Sequence, residues 1–183
     1  MAAERGGIFY FGSAAVAQKC FVVFLKKGSL CKAKATVASM QKVRIIEIPR
    51  CKMVSSGPGM FGEAKFTSFC EWFSGLPRSI YPKDFLYAQG EQLCWLYVYD
   101  AALDVPQGFD IIDFEGGLYS VATDIDLQTD TDEMDREVLE FLDQNGFVPD
   151  ESRFKLGNVI TSPAAYKTLG YHQMDYYLPI KPK

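Results

Sequence analysis

The chain has 183 residues, of which 48% are apolar and 23% charged, with a formal net charge of −4. This is enough apolar content for one ordinary core or two small similar halves, and it excludes a disordered chain. The slight acidic balance, with no long Lys/Arg run, excludes an electrostatic footprint for nucleic acid.

Cys20, Cys31, Cys51, Cys70 and Cys94 are widely spaced without a C-x-x-C pair, and His172 is the single histidine. The expectation is reduced thiols that pack as small core residues in a cytoplasmic protein, with no metal and no cofactor. A Cys–His catalytic pair would have only His172 as its base, which weighs against it.

Residues 1–39 carry two apolar runs, 8–11 and 21–25, divided by Lys19. Both fall far short of the roughly 20 residues that a membrane span needs. Ala15-Val16-Ala17 resembles a signal-peptidase site, but the apolar stretch before it is short and follows Glu4. The lysine-rich run from Lys26 to Lys34 has no clear period. Residues 1–39 are read as a non-domain N-terminal extension, and 40–183 as the domain.

From Lys42 the pattern sharpens. Val43 to Ile48 reads as a strand, Pro49 bends the chain, and Cys51 to Val54 resumes it. Ser55-Ser56-Gly57-Pro58-Gly59 is a loop by composition. Phe66, Phe69, Cys70 and Phe73 fall at i, i+3, i+4 and i+7, the apolar stripe of a helix that Gly75 and Pro77 end. A short strand at 85–87, a turn at 89–91 and a strand at 93–99 complete a β-α-β-β module over about 41–103.

A linker with Pro106 follows, and the order repeats over about 109–183. Ile111-Ile112-Asp113-Phe114 echoes Ile45-Ile46-Glu47-Ile48, and Gly116-Gly117 takes the bending place of Pro49-Arg50. Thr131-Asp132-Glu133 opens a helix striped by Met134, Val138, Phe141 and Leu142 and stopped at Asn145-Gly146. A short strand at 158–161, a short helix or loop at 163–170 and a strand at 173–181 close the chain. The expected fold is α+β, built from two copies of β-α-β-β that are weakly alike in sequence. Asp113, Asp124, Asp126, Asp130 and Asp132 are read as a solvated loop and helix start, because a Ca²⁺ loop needs tighter spacing and a glycine turn.

Strand alternation puts Trp95, Tyr97 and Tyr99 on one face and Cys94, Leu96 and Val98 on the other. In the closing strand Asp175 and Tyr177 share a face. If the two strands are equivalent parts of a duplicated fold, these faces look at each other. Trp95, Tyr97, Tyr99, Asp175 and Tyr177 then line a ligand site. The other reading is an ordinary strand packed beneath another layer, for which Tyr and Trp are equally suited.

With these residues laid out, the stretch from about Gln41 to Lys183 resembles the GyrI-like, or AraC-type effector-binding, family of small-molecule-binding domains. The resemblance rests on the duplicated β-α-β-β order, the Gly116-Gly117-Leu118-Tyr119-Ser120-Val121-Ala122 strand entry, Glu140-Phe141-Leu142 to Gly146-Phe147, and the closing Tyr177-Leu178-Pro179-Ile180-Lys181. It implies two pseudo-symmetric modules with helices on one side of antiparallel sheets and, on the other, an aromatic-lined ligand cleft between the modules, built for lipophilic, aromatic or cationic molecules around a central carboxylate. The family's acidic residue before the last tyrosine is usually Glu; the matching residue here is Asp175, one methylene shorter.

Members of that family serve as sensor domains behind DNA-binding segments, as stand-alone binders, as gyrase inhibitors and, in one branch, as hydrolases of cyclopropane-bearing toxins. Residues 1–39 hold no helix-turn-helix pattern. The implied role is a stand-alone binder in drug or toxin sensing or protection, with no direct nucleic-acid contact and no membrane. A protein partner, a regulator or gyrase, belongs to the inhibitor-like alternative. Hydrolysis is the second reading and needs a carboxylate to activate water and a donor at the developing oxyanion. Asp175 and Glu115 are its candidate bases, and Tyr97, Tyr99 and Tyr177 its candidate donors.

Overall fold

The computed structural model describes residues 42–183, apart from 78 and 80. The extension expected over residues 1–39 lies outside the described residues. The first half holds β1 (Val43–Ile48), β2 (Cys51–Gly59), α1 (Ala64–Ser74), β3 (Asp84–Gln89) and β4 (Gln92–Val98). The second holds β5 (Asp110–Phe114), β6 (Gly117–Ile125), α2 (Thr131–Gln144), β7 (Phe147–Pro149), β8 (Leu156–Val159), α3 (Pro163–Leu169) and β9 (Gln173–Pro182). The fold is α+β. Every strand pair is antiparallel, in the order β1-β6-β9-β8-β3-β4-β2-β5, with β7 beside the end of β9. Exchanging the two modules maps that order onto its own reverse.

The first strand of each module lies in the other module's half of the sheet. β1 pairs with β6 from Val43↔Ala122 to Ile48↔Gly117, and β5 pairs with β2 from Cys51↔Phe114 to Ser55↔Asp110. One register runs through both stretches, so two long bent strands are zipped along their length. Pro49, which has no N–H, stands at one bend. Gly116 stands at the other with φ +69, where a Cβ would overlap the Ile48 carbonyl oxygen. Glycine is therefore required there.

Gly117, at φ +112, makes room for the Arg153 guanidinium. That group donates to the carbonyls of Gly116 (2.7 Å), Leu118 (3.0 Å) and Ile180 (2.8 Å), and to Asp150 Oδ2 (2.9 Å). It also lies 4.9 Å over the Tyr119 ring. The planar fork of arginine suits such a set of convergent acceptors.

The sheet curls so that its helix-free face closes on one apolar cluster. Ile48, Met53, Phe85, Leu96, Tyr119 and Leu156, from six different strands, meet there. α1 buries Phe66 and Phe69, and α2 buries Val138 and Leu142, on the other face. Asp130 caps α2 by accepting from the Glu133 N–H. β7 departs from the sequence reading, in which no strand follows Gly146; with Pro149 it is tolerated as an edge strand. The strand expected at 158–161 is found at Leu156–Val159, because Thr161 and Ser162 turn to bond Gln173 and cap α3. No helix among the described residues is long and apolar enough to cross a membrane.

Hydrogen bonds from Ser152 and Arg153 hold the Asp150 carboxyl down to about 2. An unfolded aspartate titrates near ~4, so this stabilisation is complete above about pH 4 and is lost as pH falls toward about 2. Asp150→Asn is therefore expected to flatten the stability profile between about pH 4 and pH 2 and to leave its shape above pH 5 unchanged. Urea midpoints across that range check this.

Candidate ligand site

The rings expected to line a cleft lie under α1. Tyr97 is buried with Val54 and Phe69, and stacks on Phe73 at 5.7 Å. Trp95 packs 5.0 Å from Phe73, and its Nε1–H donates to Asp84 Oδ2 at 3.2 Å. Tyr99 packs against the same cluster. The apolar stripe of α1 needs an apolar floor, and these rings supply it. A ligand role for Trp95, Tyr97 or Tyr99 would require them to leave that packing.

Asp175 and Tyr177 point to the opposite, helix-free face. The register gives the reason. Leu86 pairs with Trp95 and Gly157 with Tyr176, while Leu86 and Gly157 pair with each other at the module junction. The pseudo-twofold therefore equates Trp95 with Tyr176 and Cys94 with Asp175. Setting Trp95 and Tyr97 level with Asp175 and Tyr177 is one residue out of step with this register, and a slip of one inverts the face.

Asp175 is 5% exposed and already has a counter-ion. Arg44 Nη2 lies 2.7 Å from Oδ1, and Thr123 donates to the same oxygen. The Tyr177 hydroxyl faces Oδ2 at 3.5 Å, and burial, then the Asp175 charge, pushes it up to about 12. Beside it the Asn158 amide donates to the Asp84 carbonyl, while its buried Oδ1 has no partner among the described residues. Glu115 stands exposed at the β5–β6 bend, at the edge of a separate cavity of about 210 Å³ lined by Tyr87, Leu96 and Tyr119. The candidate catalytic residues Asp175, Glu115 and Tyr97 thus occupy three separate places. Among the described residues no group of three or more His, Cys, Asp or Glu side chains could hold a metal ion.

The junction itself holds a cavity of about 430 Å³, mostly on the helix side, whose lining also takes in Tyr87, Leu156 and Tyr177 of the helix-free cluster, so Tyr177 is the one of the five expected ligand residues that borders it. β3 and β8 meet over the single registered pair Leu86↔Gly157. Met174, Tyr176 and Leu178 of β9 form the floor, and Met134 and Val138 of α2 form the roof. Thr131, Asp135 and Lys155 add polar groups. Tyr176 donates to Thr129 Oγ1 at 3.1 Å, and burial raises its hydroxyl's pKa. Under α1 the equivalent volume is filled by Trp95 and Tyr97; under α2 the smaller Leu178 leaves it open. Sequence reasoning missed these residues although the signal was present. Thr131, Met134, Asp135 and Val138 fall at i, i+3, i+4 and i+7, a face that reads equally as core.

Removing Arg44 would leave Asp175 as a buried carboxylate without its ion pair. Arg44→Met is expected to cost about 1–2 kcal/mol, discounted because the arginine is half exposed, and adding Asp175→Asn should recover most of the loss. A double-mutant cycle from urea midpoints measures this.

Solved structures share the fold. A hydrolase from Listeria innocua superposes with a TM-score of 0.55 at 11% identity, covering 79% of this chain and 94% of that one. The C-terminal domain of EcmrR superposes at 0.54 with 10% identity, covering 79% and 100%. EcmrR in its complex with DNA gives 0.52 at 11% identity, covering 77% of this chain and 57% of that one. At these identities the likeness is one of fold. No protein-family model matches the sequence, and no curated protein matches it significantly.

Proposed function

We propose that the chain is a small-molecule-binding domain of the GyrI-like effector-binding kind, holding a lipophilic, aromatic compound in the junction cavity. Drug or toxin sensing or protection is the role this supports. The carrying observation is the cavity of about 430 Å³, walled by both modules, apolar through most of its lining and polar at Thr131, Asp135 and Lys155. That is the composition of a general ligand site. The fold shared with the C-terminal domain of EcmrR and with a Listeria innocua hydrolase supports the same reading.

Binding is favoured over turnover. Hydrolysis needs a carboxylate free to take a proton from water, placed near an oxyanion donor. Asp175 is held by Arg44 and Thr123, neither it nor Glu115 lines the cavity, and the carboxylate that does, Asp135, is paired with Lys155 at 3.4 Å. Burying about 300 Å² of ligand surface at ~25 cal/mol per Å² contributes roughly 7 kcal/mol before the cost of association. Affinity in the micromolar range or weaker follows.

Nile red, a compact neutral dye that brightens in apolar surroundings, tests the site. Ala88 is exposed on β3 and lines the cavity, so Ala88→Trp fills the mouth without disturbing the core. The dye should bind the wild type at one site, and Ala88→Trp should weaken it at least tenfold with little change in melting temperature. Equal affinity in the variant, or no saturable binding to the wild type, would exclude the junction cavity.

A further inference from the structure

We propose that the chain regulates its own site: the apolar run 21–25 crosses the outer face of α2 and seats in the junction cavity, so that a ligand binds by displacing it. This rests on the junction cavity being the ligand site. Residues 1–41 enter the domain at Lys42, whose Nζ bonds the Glu137 carboxylate of α2 at 2.9 and 3.1 Å. Val43, the next residue, packs in one cluster with Val138, which roofs the cavity. Asp135 also lines the cavity; it lies two residues before Glu137 and so on the opposite flank of the helix. The point of entry and the cavity are therefore separated by one helix width, about 10 Å. Residues 26–41 join the run to Lys42, and a chain of that length reaches up to about 50 Å. Such a link holds the run near the cavity at roughly millimolar effective concentration, so weak docking suffices.

Charge favours the same occupant. Residues 1–41 carry six Lys or Arg side chains against one acid, Glu4. α2 carries six carboxylates against one base, Arg136. Four of the six pair with Lys42, Arg136, Lys155 and Lys183, but every side chain in those pairs is at least 43% exposed, so the contacts are weakly held. Asp132 and Glu140 make no ion pair among the described residues. An acidic helix beside the cavity draws a basic segment across it. The run then brings Phe21 and Phe24 to a lining of Met134, Val138, Met174 and Leu178, where large apolar rings gain most by leaving water. Lys19 and Lys26-Lys27 bound the run and stay outside on the carboxylates of α2. The earlier apolar run, 8–11, lies farther from Lys42, and the Arg5 near it is offset by Glu4.

Nile red titration of the full chain tests this. Phe21→Ser and Phe24→Ser together should tighten dye binding about fivefold, because they remove a tethered competitor. Lys26→Glu with Lys27→Glu should give part of the same gain. Without dye, the phenylalanine variant should shift the methyl resonances of Met134 and Met174, which line the cavity, and leave Met53 in place. A synthetic peptide of residues 19–27, added to that variant, should return both methyls toward their wild-type positions. Unmoved Met134 and Met174 methyls would overturn the docking. Moved methyls with unchanged dye affinity would overturn the competition if Ala88→Trp still weakens the dye, and the underlying junction reading if it does not. No gain in the lysine variant would refute the charge of α2 as the guide. A wild-type dye affinity that falls as protein concentration rises would seat the run in a second copy and refute self-occupancy.

Discussion

Two bent strands zipped in a single register hold this protein together. From Val43↔Ala122 to Ser55↔Asp110 the pairing keeps step through both bends. That forces each module's first strand into its neighbour's half, so neither half completes its sheet alone. The bend brings Gly116 against the Ile48 carbonyl and leaves Arg153 to satisfy the carbonyls that the curl turns inward. Leaving any of these unmet in the interior would be costly. The helix-free face closes mostly as core, leaving a smaller space of about 210 Å³ beside Tyr87, Leu96 and Tyr119, and the larger space lies where β3 and β8 barely meet.

The placement of the open space follows from side-chain volume. Both modules stack a helix on the sheet, but Trp95 and Tyr97 fill the floor beneath α1, while Tyr176 and Leu178 beneath α2 do not. Near-symmetry of backbone with asymmetry of side chains yields one cavity instead of two equivalent ones. The carboxylate that the sequence offered as a ligand's counter-charge is neutralised within the protein by Arg44. A buried carboxylate gains by such pairing, and an incoming cation would have to displace it.

Periodicity carried the elements well. The stripes of α1 and α2, the bends at Pro49 and Gly116 and the duplicated order all follow from local rules that residue spacing obeys. Pairing partners do not follow from local rules. Nothing in Val43–Ile48 says that its partner is β6, since either edge would accept its alternation. The faces failed for a related reason. Trp95 and Asp175 each had the right parity within their own strands, but relating β4 to β9 needs the register at Leu86↔Gly157, which is tertiary. The cavity was hidden because Met134, Val138 and Leu178 look like core wherever they occur, and only the packing shows which of them lack a neighbour.

A ligand of the proposed kind would enter on the helix side of the junction. Methionine methyl resonances test it most directly. Met134 and Met174 line the cavity, whereas Met53 is fully buried in the cluster on the opposite face. With methyl-labelled methionine and increasing Nile red, the Met134 and Met174 methyls should shift saturably while Met53 stays in place. A shift of Met53 with Met134 and Met174 unmoved would place the ligand inside the curled sheet and contradict it.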